Sequence, residues 1–322
     1  MDRRTFLQTT AMAGVALAAG SPAMAEWNPR RPLNIIVPYK AGGGTDAYAR
    51  AIAAAAANRL PVPVVVVNKP GASGMTGAIA AGSARPDGNT ILMHSTGSFL
   101  LGHMLKDSEL GPFDGFKMIA QIGNLKACLA VPAGSPIQSV QDLVDAAKAA
   151  PGSLRWAHTG KGSTYHVSGQ TFLNTIGLDA VDVPFKGGSA VRAAVLGEQV
   201  DFAFIGVQQG RGFEEQMHRL AVLADARDEL APDVPTFAEL GFDVPVVSSP
   251  IILFAPEGVD PEIIAGIEGA MADIVAAPEF GELVNAKGTL PLYRTGAEAE
   301  TALRAMQEAV TPVIEALKGN LG

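Results

Sequence analysis

IIVPYKAGGGTDAYAR, residues 35–50, is the stretch that decides the fold. A β-branched apolar run (Ile35, Ile36, Val37) stops at Pro38, a glycine-rich turn follows, and Thr45 or Asp46 opens an alanine-rich helix. Strand, glycine loop and helix N-terminus together make an anion site. Glycines let successive backbone N–H groups converge, and the first helical turn leaves its own N–H groups unpaired at the positive end of the helix dipole. Such a loop holds a carboxylate or a phosphate without any enzyme chemistry.

Working outward, short apolar runs alternate with helical patterns. Leu33–Val37 precedes a helix at 45–59, and Val62–Val67 precedes a glycine loop and a helix at 73–84; Thr90–His94 then ends in a polar turn. A second block from Lys126 offers strands at 127–131, 154–157, 181–185, 200–205 and 220–224, with helices near 139–149, 163–176, 187–197 and 208–217. A long apolar strand at 244–255 and helices at 260–276 and 298–318 close the chain. This alternation predicts α/β architecture with mainly parallel sheets. The stretches 125–132 and 245–255 read as connections between two α/β domains, the C-terminal helices returning to the first. One large continuous sheet is the alternative.

Ahead of this body lies MDRRTFLQTTAMAGVALAAGSPAMAEW. Arg3-Arg4-Thr5-Phe6-Leu7, the short apolar region Ala11–Ala19 and the small-residue site Ala23-Met24-Ala25 read as a twin-arginine export signal over residues 1–25. No later segment is long and apolar enough to span a membrane. The chain of 322 residues carries a formal net charge of −8, which argues against nucleic acid or anionic lipid as partners. Its single cysteine, Cys128, has no intrachain partner and does not mark a lipid-anchor site.

In open α/β sheets ligands bind beyond the carboxyl ends of the strands. That rule selects the loops Tyr39–Asp46, Asn68–Gly74 and Ser95–Ser98 in the first block. In the second it selects Thr159–Ser163, Lys186–Ser189 and Gly206–Gln209, and every one of these loops contains glycine. Lys40, Lys161 and Lys186 fall in these loops and suggest local attraction for an anion, with Tyr39, Phe185 and His94 for ring contacts. Ser163 reads as a helix N-cap, with His166 facing the cleft or the core. No nucleophile elbow, His-x-x-x-His or Cys-x-x-Cys is present, so no catalytic or metal residue and no cofactor is expected. The competing motif is Gly42, Gly44 and Ala47, which match G-x-G-x-x-A of dinucleotide-binding folds. The second strand, however, ends Val66-Val67-Asn68-Lys69 with no acid for a ribose; an exported NADP-dependent oxidoreductase is the alternative this leaves.

Taken in order, R-P-L-N-I-I-V-P-Y-K-A-G-G-G-T-D (31–46), N-K-P-G-A-S-G (68–74), P-D-G-N-T-I-L (86–92), G-K-G-S-T-Y-H (160–166), V-P-F-K-G-G (183–188) and L-A-P-D-V-P-T-F-A-E-L-G (230–241) resemble one family. It is that of the substrate-binding proteins of tripartite tricarboxylate transporters, the Bug or TctC proteins. The resemblance implies a two-domain periplasmic-binding-protein fold of type II-like form, each domain a mainly parallel sheet flanked by helices, with the ligand cleft between. Domain 1 would comprise 26–125 with 253–322, and domain 2 would comprise 126–252. It implies a soluble periplasmic protein, a monomer, that closes over a small organic carboxylate and delivers it to large and small membrane permease subunits. A ligand-presenting sensor subunit would share the same fold.

On this reading the carboxylate is held by Tyr39, Ala41, Gly43, Gly44 and Thr45, by Pro70, Gly71 and Ala72, and by Ser95 and Thr96. Asp46 caps the helix or orients a water. The second domain contributes Lys161, Ser163, His166, Lys186 and Gly187, and Lys40, Lys161 or Lys186 pairs with a second carboxylate. Lys40 stands where the family commonly has a small residue, and Ser73 where it usually has glycine.

Overall fold

Alternation along Leu33–Val37 (β1) sets the first lobe. Leu33, Ile35 and Val37 are buried on one face of the strand and Ile36 on the other, which only a central strand covered on both sides can satisfy. The computed structural model describes residues 27, 29–104, 115–247 and 249–318. The export signal expected over 1–25 lies outside them.

β1 pairs in parallel with Val64–Asn68 (β2) and Thr90–Ser95 (β3). Beyond β3 the sheet continues antiparallel through Ser249–Pro256 (β10), Phe116–Leu125 (β4) and Pro291–Thr295 (β11). On the Leu33/Ile35/Val37 face lie Gly44–Ala56 (α1), Pro261–Ala276 (α7) and Pro278–Asn285 (α8), burying Tyr48, Ile52, Met271 and Phe280. The Ile36 face packs against Met75–Gly82 (α2), Thr96–Met104 (α3) and Gly296–Lys318 (α9) through Ala78, Leu100 and Leu303.

The second sheet runs Val181–Pro184 (β7), Arg155–His158 (β6), Phe202–Gly206 (β8), Ala127–Pro132 (β5), Met217–Leu223 (β9). β6 is parallel to both β7 and β8, and β5 is antiparallel to both β8 and β9. Val140–Ala149 (α4) and Thr164–Thr175 (α5) cover one face over an aromatic core of Trp156, Phe172, Phe204 and Phe237. Gly188–Leu196 (α6) covers the other through Val191, Ala194 and Val195.

The two-lobe α/β architecture is thus present, with sheets that are mixed rather than mainly parallel. β10 and β5, each arriving from the other lobe, run against β3 and β8 and also against β4 and β9, and β11 adds a further antiparallel pair with β4. Other local expectations also change. The helix expected at 208–217 is a short 3₁₀ turn, Val207–Gly210, followed by a loop into β9. Strand 244–255 begins only at Ser249, and residues 249–252, expected in the second lobe, pair with β3 and β4 of the first sheet.

Lys126 alone separates β4 from β5, so the first crossing is a single residue. The return crossing lies between β9 and β10. Lys126 Nζ reaches Asp228 Oδ2, in the second-lobe segment that follows β9, at 3.3 Å, tying the first crossing to that lobe.

Candidate functional site

The loop from β1 to α1 takes its shape from its glycines. Gly42 sits at φ +81°, a left-handed conformation that a side chain would strain. Gly43 is the N-cap of α1 and offers no side-chain oxygen, so the first-turn N–H groups are left for something else. Asp46 is not that acceptor. Its Oδ2 accepts from Gly42 N and Arg50 Nε, both at 2.8 Å, and its Oδ1 accepts from Asn68 Nδ2 at 3.0 Å. Burial by itself would raise the Asp46 pKa. The hydrogen bonds from Arg50, Gly42 and Asn68 outweigh it and hold the carboxyl below its ordinary value.

A second helix end faces the first. Gly187, at φ +109°, is the N-cap of α6 and also lacks a side-chain cap. Ser189 Oγ donates to Ala41 O at 3.0 Å across the cleft, bringing the two glycine loops together. Between the helix ends lies a cavity of about 30 Å³. Gly43, Gly44, Thr45, Gly187 and Gly188 line it, with the hydroxyl-bearing Tyr39, Ser95, Ser98, Thr159 and Tyr165, the amides of Gln208 and Gln209, and Leu125 and Gly206. Burial pushes the phenols of Tyr39 and Tyr165 well above the usual tyrosine range, so both keep their protons for donation. Arg192 Nη1 donates to Gln209 Oε1 at 2.8 Å, which leaves the Gln209 amide hydrogens for other acceptors. The lining holds no carboxylate and no cationic side chain.

An outer cavity of about 280 Å³ adjoins it, lined by Pro38, Tyr39, Pro70, Gly71, Ala72, Gly74, Thr159, Gly160, Lys161, Pro184, Phe185 and Lys186. Tyr39 and Thr159 belong to both cavities. Of the residues expected at the site, Tyr39, Gly43, Gly44, Thr45, Ser95 and Gly187 meet at the inner cavity. Pro70, Gly71, Ala72, Lys161 and Lys186 line the outer one.

The others line neither of these two cavities. Lys40 is exposed, and Ala41 contributes only the carbonyl that Ser189 meets. Thr96 Oγ1 donates to His94 O at 3.3 Å. Ser163 is the N-cap of α5, accepting from His166 N at 3.2 Å. The His166 ring is stacked on Trp156 at 6.0 Å and packed 4.6 Å from His158, inside the second lobe. Leu125 and Tyr165 escape selection by sequence, because one ends a strand and the other lies within a helix.

His158, His166 and Asp182 place ligand-type atoms within 4.8 Å of one another. Gly160 N donates to His158 Nδ1 at 3.1 Å, and Gly162 N donates to His166 Nδ1 at 3.3 Å. These bonds put the proton of each neutral ring on Nε2, the atom a metal would need. The cluster therefore works as a hydrogen-bond network, in which His158 Nε2 meets Asp182 Oδ2 at 3.2 Å and Lys161 Nζ approaches the same oxygen at 3.4 Å.

Comparison with known proteins finds relatives in sequence and in fold. A sequence model described as "Tripartite tricarboxylate transporter family receptor" matches residues 48–318. A Cupriavidus necator protein, the "UPF0065 protein in gbd 5'region", is 31% identical over 91% of this chain and 91% of its own length. "Protein BugT" of Bordetella pertussis is 29% identical over 88% of this chain and 87% of its own. The solved structure of periplasmic binding protein BugD superposes with a TM-score of 0.81 at 25% identity, covering 90% of this chain and 98% of that one.

Proposed function

The chain belongs to the tripartite tricarboxylate transporter receptor family, and we propose that it is a periplasmic, monomeric solute-binding protein. It captures a small organic carboxylate between its lobes, hands it to membrane permease subunits, and performs no chemical step. One observation carries this reading: two helix N-termini without side-chain caps converge on one small cavity walled by hydroxyls and amides. Partial positive charge and unpaired N–H groups from both ends favour an anion there. The flat shape of a carboxylate suits so small a space, and the family's description names carboxylates.

Domain closure is part of the proposal. Lys126 and the return crossing would serve as the hinge, and the contacts of Ser189 with Ala41 and of Ser98 with Thr164 would form on closing. Among the described residues no helix is long and apolar enough to cross a membrane. The dinucleotide alternative fares worse. Asn68, at the position where a ribose would be read, is spent on Asp46 and on Tyr39 O, and a side chain on Gly44 would collide with Gln208 and Leu125.

The test is thermal unfolding and calorimetry of the mature protein against mono-, di- and tricarboxylates, with NAD and NADP. A carboxylate at one hundred times its Kd stabilises the fold by about 2.7 kcal/mol. Gly44→Val should abolish this gain by pushing into Gln208 and Leu125 and propping the lobes apart, while the unliganded protein still unfolds cooperatively. Stabilisation by nicotinamide nucleotides alone would overturn the proposal.

A further inference from the structure

Arg192 stands outside both cavities, yet its side chain is committed to a residue that lines the inner one. It lies on α6, half-buried, with the guanidinium carbon 4.5 Å from the centre of the Phe213 ring. Among the described residues no carboxylate pairs with it; its charge-bearing group donates instead from Nη1 to Gln209 Oε1 at 2.8 Å. A guanidinium has donors only, so the amide oxygen of Gln209 is turned toward Arg192 and the NH2 group away from it. Gln209 is 3% exposed, and a side chain on Gly188 would meet its Nε2 at 3.5 Å, which sets that NH2 group against the uncapped start of α6. No acceptor among the described residues meets it there.

We propose that Arg192 is a positioning residue for the inner site: it locks the Gln209 amide with its NH2 group toward the cavity, so that the second lobe meets an anion with a fixed donor. This rests on the reading of the inner cavity as a carboxylate site. The last torsion of a glutamine side chain is broad and nearly two-fold, so an unrestrained amide turns over with little resistance. Turned over, it would aim the Oε1 lone pairs at a bound carboxylate and repel it. Stacking on Phe213 fixes the plane of the guanidinium, and the hydrogen bond then fixes the amide. The donor is set before the anion arrives, so ordering that side chain does not count against affinity. A cation close to a cleft can also act through its charge alone, and the two roles are separable.

The experiment is a double-mutant cycle read by calorimetric titration of the wild type, Arg192→Met, Gln209→Leu and the two combined. The probe is whichever member of the mono-, di- and tricarboxylate panel stabilises the wild type most. Loss of one fixed donor to a carboxylate corresponds to roughly a tenfold affinity change. Each single variant should weaken binding by about that factor, and the combination should bind no worse than Gln209→Leu alone. Arg192→Lys returns a donor to Oε1 and should bind within a few-fold of the wild type, which separates the hydrogen bond from lost packing on Phe213. Cooperative unfolding of each unliganded variant checks that the fold is intact. Losses that multiply in the combination, unchanged binding by Arg192→Met, or no rescue by Arg192→Lys would each overturn this inference and leave the carboxylate site standing. Failure of every carboxylate to bind the wild type would instead remove the reading beneath it.

Discussion

At the residue scale, Asp46 shows how a charged side chain in a binding loop can serve the loop instead of the ligand. Its buried carboxylate collects Gly42 N–H, Arg50 and Asn68, so it sets the turn that presents the α1 N-terminus. Asp46→Ala would leave three donors without their acceptor. The expected loss is about 2–4 kcal/mol in urea unfolding, together with weakened ligand binding, because the loop no longer holds its shape. Unchanged stability would mean that water replaces the carboxylate at no cost. The sequence reads Asp46 as a helix cap or a water-orienting group, whereas Gly43 is the N-cap and Asp46 braces the turn through partners that only the fold brings together. The roles of the three lysines were not legible either. Whether a lysine serves a cleft depends on countercharges from distant strands: Asp182, on β7, claims Lys161, and nothing near Lys161 in sequence announces it.

At the element scale, runs such as Leu33–Val37 were readable because pattern and burial coincide, whereas β4 and β11 were not. Gln121 and Gly123 interrupt β4 like turn residues, yet β4 lies between two strands and is buried through both. Arg294 of β11 donates to Gln121 Oε1 at 3.2 Å, and Tyr48 packs where a side chain on Gly123 would stand. A neighbouring strand supplies what the local sequence lacks. The last helix, α9, has a comparable hidden partner. Its C-terminal half buries Val310, Ile314 and Leu317 against Leu101 of α3 and also against Val167 of α5, which belongs to the second lobe. Ile314→Ala should therefore cost about 3 kcal/mol in denaturant unfolding, the usual range for a fully buried aliphatic truncation. A loss under 1 kcal/mol would show that this contact between α9 and the two lobes is loosely packed.

At the scale of the whole molecule, the carboxyl-end rule selects the loops between the lobes from sequence alone, while the burial that governs how His94, His158 and His166 titrate becomes visible only in the fold. His94 lies under Tyr39 on the first sheet, with rings 5.4 Å apart, and His158 and His166 lie at the carboxyl end of the second. Burial pushes His94 to about 4, burial and then the neighbouring His158 push His166 to about 4, and burial lowers His158 as well. All three are neutral in the folded protein at neutral pH. An unfolded chain takes up their protons near its ordinary histidine pKa of about 6.5, before the folded protein does. The contribution of His94 and His166 is thus complete above about pH 6.5 and is lost as the pH falls toward their folded values of about 4, and the lowered His158 acts in the same direction. Each depressed histidine makes the unfolding free energy fall by up to about 1.4 kcal/mol per pH unit within that window. Urea unfolding between about pH 7 and 4.5 should show this decline, and His166→Gln should make it shallower by roughly one proton's share. A slope unaltered by that substitution would mean that His166 titrates alike in both states.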